Sequence, residues 1–540
     1  MEKTHRVPTS FCSLRGHCPR VRSSLARLFG QSRGTLHGLG LACLLTLAPL
    51  LPWPVAPVMA ATFNVTSTAD NLTNGDGLCT LREAIRAANN AASNDCGSAS
   101  SAADTIILQS GQTYTLSLDS AAGDEDAALE NDLDVTSQIT IQGNGATIQR
   151  DPTLTCTLNG TDAVGEFRIF HVLAGGNLTL RNVTVKSGCA DGSFPANFGG
   201  GILNGGTVTA TNSIISGNSA NFAGGGIFNN GGTLTITNST ISSNSATRFA
   251  GGGIFNEFGG TLTITNSTIS GNSAGLGGGI FNNTGATVTI TNSTISSNSA
   301  AVHGGGMFND FGGTVTITTS TISGNSATRF GGGIVNDEGT VKLTNSTISG
   351  NSAGGDGGGI WNNGTVNASF ITIAQNSADA SGQGGGIFSN TGATTNIKDA
   401  IVGDNTAGGG GANCSGGVTA SGANLATDGS CSGFTQVTSA ALNLQPLGNY
   451  GGATETHALP AGSVAIDGVL SGQCNDLNNT VVTTDQRGVP RPQGPRCDVG
   501  AYETTRGFTG SAPVAGYLGL AFLATVLALL GRSSLIRRSP

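Results

Sequence analysis

The side chains best suited to chemistry in this sequence are carboxylates, and they are sparse. Seven of them gather in one stretch, Asp119, Asp124, Glu125, Asp126, Glu130, Asp132 and Asp134. Calcium takes several oxygen ligands, so such a cluster could hold it. No spacing in the stretch matches a calcium loop, and a solvated acidic loop is the plainer reading; Asp124, Asp126, Asp132 and Asp134 are the calcium candidates. Asp70, Asn74 and Asp76 invite the same reading with no better spacing. Hydrolysis of a glycosidic bond needs paired carboxylates at a fixed separation. Elimination needs a base such as Arg or Lys beside an acidic calcium cluster. The later acids, Glu257, Asp310, Asp337, Glu338, Asp356 and Asp379, stand at different phases of the local pattern, and Lys342 is the lone lysine among them. His303 replaces a loop residue once, and a solvent-exposed side chain is expected there. No catalytic constellation emerges, and no cofactor other than calcium is suggested.

The other reactive side chains are eleven cysteines. Cys12, Cys18 and Cys43 fall in the first 60 residues, which leaves Cys79, Cys96, Cys156, Cys189, Cys414, Cys431, Cys474 and Cys497. An even set in an exported chain suggests disulfides. Pairing of neighbours (Cys79 with Cys96, Cys156 with Cys189, Cys414 with Cys431, Cys474 with Cys497) is the simplest proposal, although spacing does not fix connectivity. No CxxC or Cys/His spacing supports zinc.

The elements that must position these residues are set by a repeat. Gly-Gly-Gly is followed by Ile202, Ile227, Ile254, Ile280, Met307, Ile334, Ile360 and Ile387, at spacings of 25 to 27 residues. Each unit also carries a half like "TLTITNSTISGNSA", with Asn218, Asn244, Asn272, Asn298, Asn325, Asn351 and Asn376 near its end. Within a unit the period is two. Leu234 and Ile236 face one way and Thr233, Thr235 and Thr237 the other, which is a strand signature. Gly and Asn separate three short strands per unit, which describes one turn of a β-solenoid. A strand this short cannot bury its apolar side alone, but coils stacked at about 4.8 Å pair every backbone group with the coils above and below. Eight regular coils give a rod of roughly 40 Å, which irregular coils extend at both ends. Stacked amides are expected at Asn229, Asn256, Asn282, Asn309, Asn336 and Asn362, and at Asn238, Asn266, Asn292 and Asn345. Parity places Phe228, Phe255, Phe281, Phe308, Trp361 and Phe388 opposite Ile and Asn of the same strands. If Ile points inward, they form an external aromatic stripe, open as a partner surface or tucked beneath a loop.

Composition agrees with stacking. Only 10% of residues are charged, and 86 of 540 are Gly. The first 60 residues read as an export signal, with Lys3, Arg6, Arg15, Arg20, Arg22, Arg27 and Arg33 before an apolar run and a small-residue cleavage site after Ala60. "PVAGYLGLAFLATVLALLG", Pro513 to Gly531, is about long enough to span a bilayer core. The arginines that follow it, Arg532, Arg537 and Arg538, favour a cytoplasmic end. The net charge of −8 becomes more negative once these basic ends are set aside. An acidic body excludes nucleic acid as a partner, because phosphate binding needs a basic stripe. The membrane, through residues 513–531, is an expected partner, and glycans or surface proteins are the others.

Two stretches are recognisable. "GDGLCTLREAIRAAN", Gly75 to Asn89, resembles the CSLREA motif that opens a family of exported bacterial β-helix proteins, with Thr80 where the motif has Ser. "LGNYGGATETHALPAGSVAIDG" and "TDQRGVPRPQGPRCDVGAYE", within Leu447 to Glu503, resemble the choice-of-anchor Q segment of such proteins. The Gly-Gly-x-Ile and Ile-x-x-Asn halves are similar to the GGAI and FxxN repeats of chlamydial polymorphic outer membrane proteins, with Ile in place of Phe in the second. The resemblance covers nearly all of residues 62–503. It implies a right-handed parallel β-helix of pectin-lyase-like shape on the cell envelope, and it does not imply catalysis. Polymorphic outer membrane proteins are adhesins and autotransporters, but no alternating barrel region follows residue 504 here.

The expected organisation is a signal (1–60), a CSLREA-like cap (61–100), irregular coils (101–198), regular coils (199–392), last coils (393–446) and a choice-of-anchor Q-like segment (447–504). A linker (505–512), a transmembrane or sorting helix (513–531) and a basic tail (532–540) follow. The expected function is a non-catalytic, surface-displayed β-helix protein with an adhesive or structural role, in the envelope, at the outer membrane or secreted. The alternative is a polysaccharide lyase or glycoside hydrolase with a site hidden in the irregular coils. A remote alternative is ice binding by the Thr arrays at 233/235/237, 261/263/265, 287/289/291 and 314/316/318.

Overall fold

One coil shows how the repeat folds. Ile227–Asn230, Thr233–Thr237, Thr240–Ser242 and Ser245–Ala246 are all strands, so a regular coil has four rather than the three that periodicity suggests. The fourth, Ser-Ala, is too short to show any alternation. In the computed structural model, which describes residues 60–89, 95–98, 103–119, 128–161 and 163–505, successive coils pair parallel and in register. Ile227 lies beside Ile254, Thr233 beside Thr261, Thr240 beside Thr268 and Ser245 beside Ser273. Among the described residues the coils build a 24-stranded sheet from the two Thr-bearing strands, an 11-stranded sheet from the Ile-x-Asn strands and a 9-stranded sheet from the Ser-Ala strands.

Alternation decides what each strand buries. Ile227, Leu234, Ile236 and Ile241 are fully buried and stack on their counterparts in neighbouring coils, whereas Thr233 and Thr261 are exposed. Full burial of each such aliphatic side chain contributes roughly 1.5–3 kcal/mol. The corners follow from backbone geometry. Asn238, Asn266 and Asn292 bend the large sheet at φ of 48–50°, a left-handed region that Asn tolerates. The Gly triplet has two causes. Gly224 has φ +68°, and a Cβ on Gly225 would stand 2.3 Å from the Ser245 carbonyl oxygen.

Inward polar groups are satisfied by stacking. Asn229, Asn256, Asn282, Asn309 and Asn336 each donate from Nδ2 to Oδ1 of the next coil's Asn at 2.7–2.8 Å, and Asn362 ends the column on Thr394 and Thr395. A second column, which the sequence offered only as a recurring Asn, runs through Asn218, Asn244, Asn272, Asn298, Asn325, Asn351, Asn376 and Asn405 at 2.9–3.0 Å. The corner set is looser. Asn266 donates to Asn238, but Asn292 meets Thr319 and Asn345 donates instead to the Thr484 carbonyl.

Both ends of the rod are covered. Helix α1 (Leu81–Ala88) is N-capped by Thr80, whose side chain and that of Glu83 form a reciprocal capping box. Leu81, Ala84, Ile85 and Ala88 are buried, and Arg82 pairs with Asp70 while donating to the carbonyls of Asn131 and Asp132. The Cys79–Cys96 disulfide anchors the helix start; Cys156–Cys189, Cys414–Cys431 and Cys474–Cys497 complete the neighbour pairing. Near the other end, a second core of Leu442, Leu459, Val469, Val482 and Val499 packs on Phe370 and Ile401 of the coils. Among the described residues no helix is long and apolar enough to cross a membrane. The expected helix at 513–531 and nearly all of the expected signal lie outside those residues.

Candidate functional site

The broadest outward feature is a field of hydroxyls on the 24-stranded sheet. Thr207, Thr233, Thr261, Thr287 and Thr314 form one column; Thr209, Thr235, Thr263, Thr289 and Thr316 a second; Thr211, Thr237, Thr265, Thr291 and Thr318 a third. Beyond the corner, Thr240, Thr268 and Thr294 begin a fourth. No charged side chain interrupts these positions until Lys342, which follows Thr316 in the second column and precedes Asn367 and Asn396. An uncharged array of donors and acceptors can receive hydroxyls or water, and offers no counter-charge to an ionic ligand.

The fourth column changes character downstream. Thr321, Thr347 and Thr372 continue Thr294 but are fully buried, because residues 454–501 lie across them. Gln486 is the central contact. Its Nε2 donates to Thr321 Oγ1 (3.0 Å), Thr454 Oγ1 (2.9 Å) and the Glu455 carbonyl (2.9 Å), and its Oε1 accepts from Thr347 Oγ1 at 2.6 Å. Ser349 Oγ meets His457 Nε2 at 2.8 Å, Thr372 Oγ1 accepts from Ala501 N, and the Lys398 ammonium donates to Asn475. Arg491 lies 4.8 Å over Phe370 and pairs with Glu503. Asp485 fixes the turn by accepting from Arg487 and from the amides of Val489 and Glu503. Burial lowers the His457 pKa and pushes Asp399 up to about 6. This C-terminal clasp was invisible to spacing. The available signal was that Thr319, Phe370 and Asp399 break the run of Asn at the corner.

Of the two placements open to the aromatic stripe, the rings take the tucked one. Phe228, Phe255, Phe281 and Phe308 are 0–5% exposed and form a satellite core with Phe198, Ala223 and Ala250 beneath Phe222, Phe249 and Phe330. Trp361 and Phe388 are half-buried. Their rings stack on one another along the axis, Phe330 on Trp361 at 5.5 Å and Trp361 on Phe388 at 6.5 Å, both within 10° of parallel. Ring faces occupied by neighbouring rings are closed to a ligand, so the column is a packing device. His303 belongs to it. It is half-buried against Phe330 at 4.9 Å rather than exposed, and desolvation lowers its pKa to about 4.

The acidic stretch divides. Asp124 and Asp126 lie outside the described residues. Asp132 and Asp134 are buried, and with His171 they place three donor atoms within 4.8 Å of one another. Asp132 is held by Arg168 at 2.9 Å, and Asp134 accepts from the Ala128 amide and faces His171 at 3.3 Å. A carboxylate already paired with a guanidinium is a poor calcium ligand, so these groups read as an internal ion network that joins two successive irregular coils.

A family model described as a right handed beta helix region matches residues 131–295. No curated protein matches the chain. Among solved structures, the crystal structure of pectate lyase Pel9A aligns at a TM-score of 0.41 and 15% identity, covering 83% of this chain and 98% of that one. With the strand register above, the family match makes this chain a parallel β-helix protein whose shape comes from stacked coils.

Proposed function

We propose that this chain is a non-catalytic, exported rod that engages a partner through its uncharged Thr and Ser face, in an adhesive or structural role at the cell envelope. The observation that carries the reading is the contrast along the fourth column, open at Thr240, Thr268 and Thr294 and clasped at Thr321, Thr347 and Thr372. A sheet face that makes ordered hydrogen bonds to one segment of the chain has the chemistry to make them to another molecule. Four disulfides suit an oxidising compartment. The CSLREA-like and choice-of-anchor Q-like residues act here as end cap and clasp, which accounts for them without a reaction. A polysaccharide lyase or hydrolase is the competing reading. Glycan-array binding by the purified chain, run beside a polysaccharide-degradation assay, separates the two. Bound glycan without products supports the rod; products with unsaturated ends overturn it.

The regularity of the Thr columns favours a second reading. They repeat about every 4.8 Å along the axis and roughly every 6.6 Å across it. Such a lattice could order water for adsorption to ice, and thermal hysteresis in a solution of the chain tests that.

A further inference from the structure

The corner that leads into the Thr face carries two side chains that stacking does not explain. Phe258 and Phe311 are 59% and 61% exposed, among the most exposed large apolar residues described. Both hold left-handed backbone, φ +53° and +40°, where a bulky side chain is uncommon. The equivalent corner position is Thr284 in the coil between them, and the corner before Phe258 turns through Gly231. The Phe residues thus alternate with small ones and stand two coils apart, about 9.6 Å along the axis. Each follows a half-buried acid, in "NEFGG" and "NDFGG". Glu257 Oε1 accepts from Asn283 Nδ2 at 3.0 Å, and Asp310 Oδ1 from the Phe311 amide at 2.8 Å. Immediately after each corner comes the first Thr column, at Thr261 and Thr314.

We infer that Phe258 and Phe311, each beside its carboxyl, are paired pegs for a neutral polysaccharide chain lying along the axis on the Thr face. This rests on the reading of that face as a partner surface. An exposed ring offers its face to the C–H surface of a pyranose, and an adjacent carboxyl or hydroxyl accepts from sugar hydroxyls. A spacing of two coils is close to the disaccharide repeat of an extended glycan, so both rings can meet equivalent faces of one chain. The face between them carries no charge, which favours neutral sugars over uronates, whose carboxylates would be desolvated without a cation.

Calorimetric titration of the purified full chain with cellohexaose and with hexagalacturonate tests this. Phe258→Thr and Phe311→Thr copy the residue of the coil between them, so the backbone is already known to accept it. Cellohexaose is expected to bind, each single substitution to weaken it about tenfold and the double substitution to abolish it, with the melting temperature held. Preferred binding of hexagalacturonate, or a double variant that binds cellohexaose as the parent does, overturns the inference. In the latter case loss of binding in Thr263→Lys/Thr289→Lys would leave the face reading standing without the pegs. No binding of either sugar by the parent, with none on the glycan array, removes both.

Discussion

Coils from Thr233 to Ser296 and coils from Thr321 to Gly403 are built from nearly the same repeat, yet the fourth Thr column is half-buried at Thr240, Thr268 and Thr294 in one stretch and fully buried at Thr321, Thr347 and Thr372 in the other. Strand pairing, core and Asn columns continue unbroken from one to the other. What differs is a handful of outward residues. Phe370 takes a corner that Asn holds upstream, Lys398 reaches Asn475, and Asp399 accepts from the Ala423 amide. A perfect repeat would give the C-terminal segment several equivalent registers to dock in. The exceptions give it one, so departures from the repeat encode an address while the repeat encodes the rod.

The strongest way to break this comparison is to erase the address. Phe370→Asn restores the upstream corner residue, removes the ring beneath Arg491 and opens the second core. Loss of a buried Phe costs about 3–5 kcal/mol, and here the loss should fall on the clasp. Hydrogen exchange is expected to rise across residues 447–505 and stay unchanged across 207–296. Gln486→Ala is next. It strips the amide that satisfies Thr321, Thr347 and Thr454, leaving buried hydroxyls short of partners at about 1–3 kcal/mol. Denaturant melts should show an earlier loss of the C-terminal segment and an unaltered transition for the coils.

Much of the rod was legible because stacking writes itself into a sequence as periodicity. Ile, Thr and Asn at fixed phases gave the coils, the parallel register and the column at Asn229, and the even cysteine count pointed to disulfides, whose neighbour pairing the structure shows. What was not legible involved contacts without a period. The clasp joins Gln486 to Thr347 across 139 residues, and nothing at either position announces the other. The cover over the aromatic column was unreadable for a related reason. Parity puts Phe255 outside the coil, but only the fold shows that Phe249 and Ala250 cover it. Of the calcium candidates, Asp132 and Asp134 looked free because Arg168 and His171, their partners, arrive from another coil.

Acid should act in opposite directions on one group of the coils and one of the clasp. Burial, with Asp337 and Glu338 nearby, pushes the Asp310 carboxyl up to about 7, so the fold holds its proton more tightly than the unfolded chain, which titrates near ~3.9. Stability associated with Asp310 therefore increases as pH falls from about 7 towards 4. Asp310→Asn should melt higher than the parent at pH 8, with the difference closing by pH 4. His457 behaves oppositely. Burial lowers its pKa between Ser349 and the Gln445 carbonyl, so its contribution is present above an unfolded pKa of about 6.5 and is lost as pH falls below that value. Asp399 and Glu503 in the clasp, whose carboxyls burial pushes up, act against it, so hydrogen exchange across 447–505 should separate His457→Gln from the parent more at pH 8 than at pH 5. An equal difference at both pH values would refute the assignment.

The smallest expected effect is the most discriminating. Thr268 and Thr347 occupy the same column, three coils apart, one half-buried at the surface and the other bonded to Gln486 and Thr456. Valine keeps the shape and the strand preference of Thr and removes only the hydroxyl. Thr268→Val should shift stability by no more than about 0.5 kcal/mol, as surface substitutions do. Thr347→Val should cost about 1–3 kcal/mol through its stranded partners. Equal values from thermal melts would mean that apolar contact with Phe370 and Ile401 alone seats the segment. The hydroxyl columns would then lose their standing as a recognition surface, because the one partner seen on them would not be reading them.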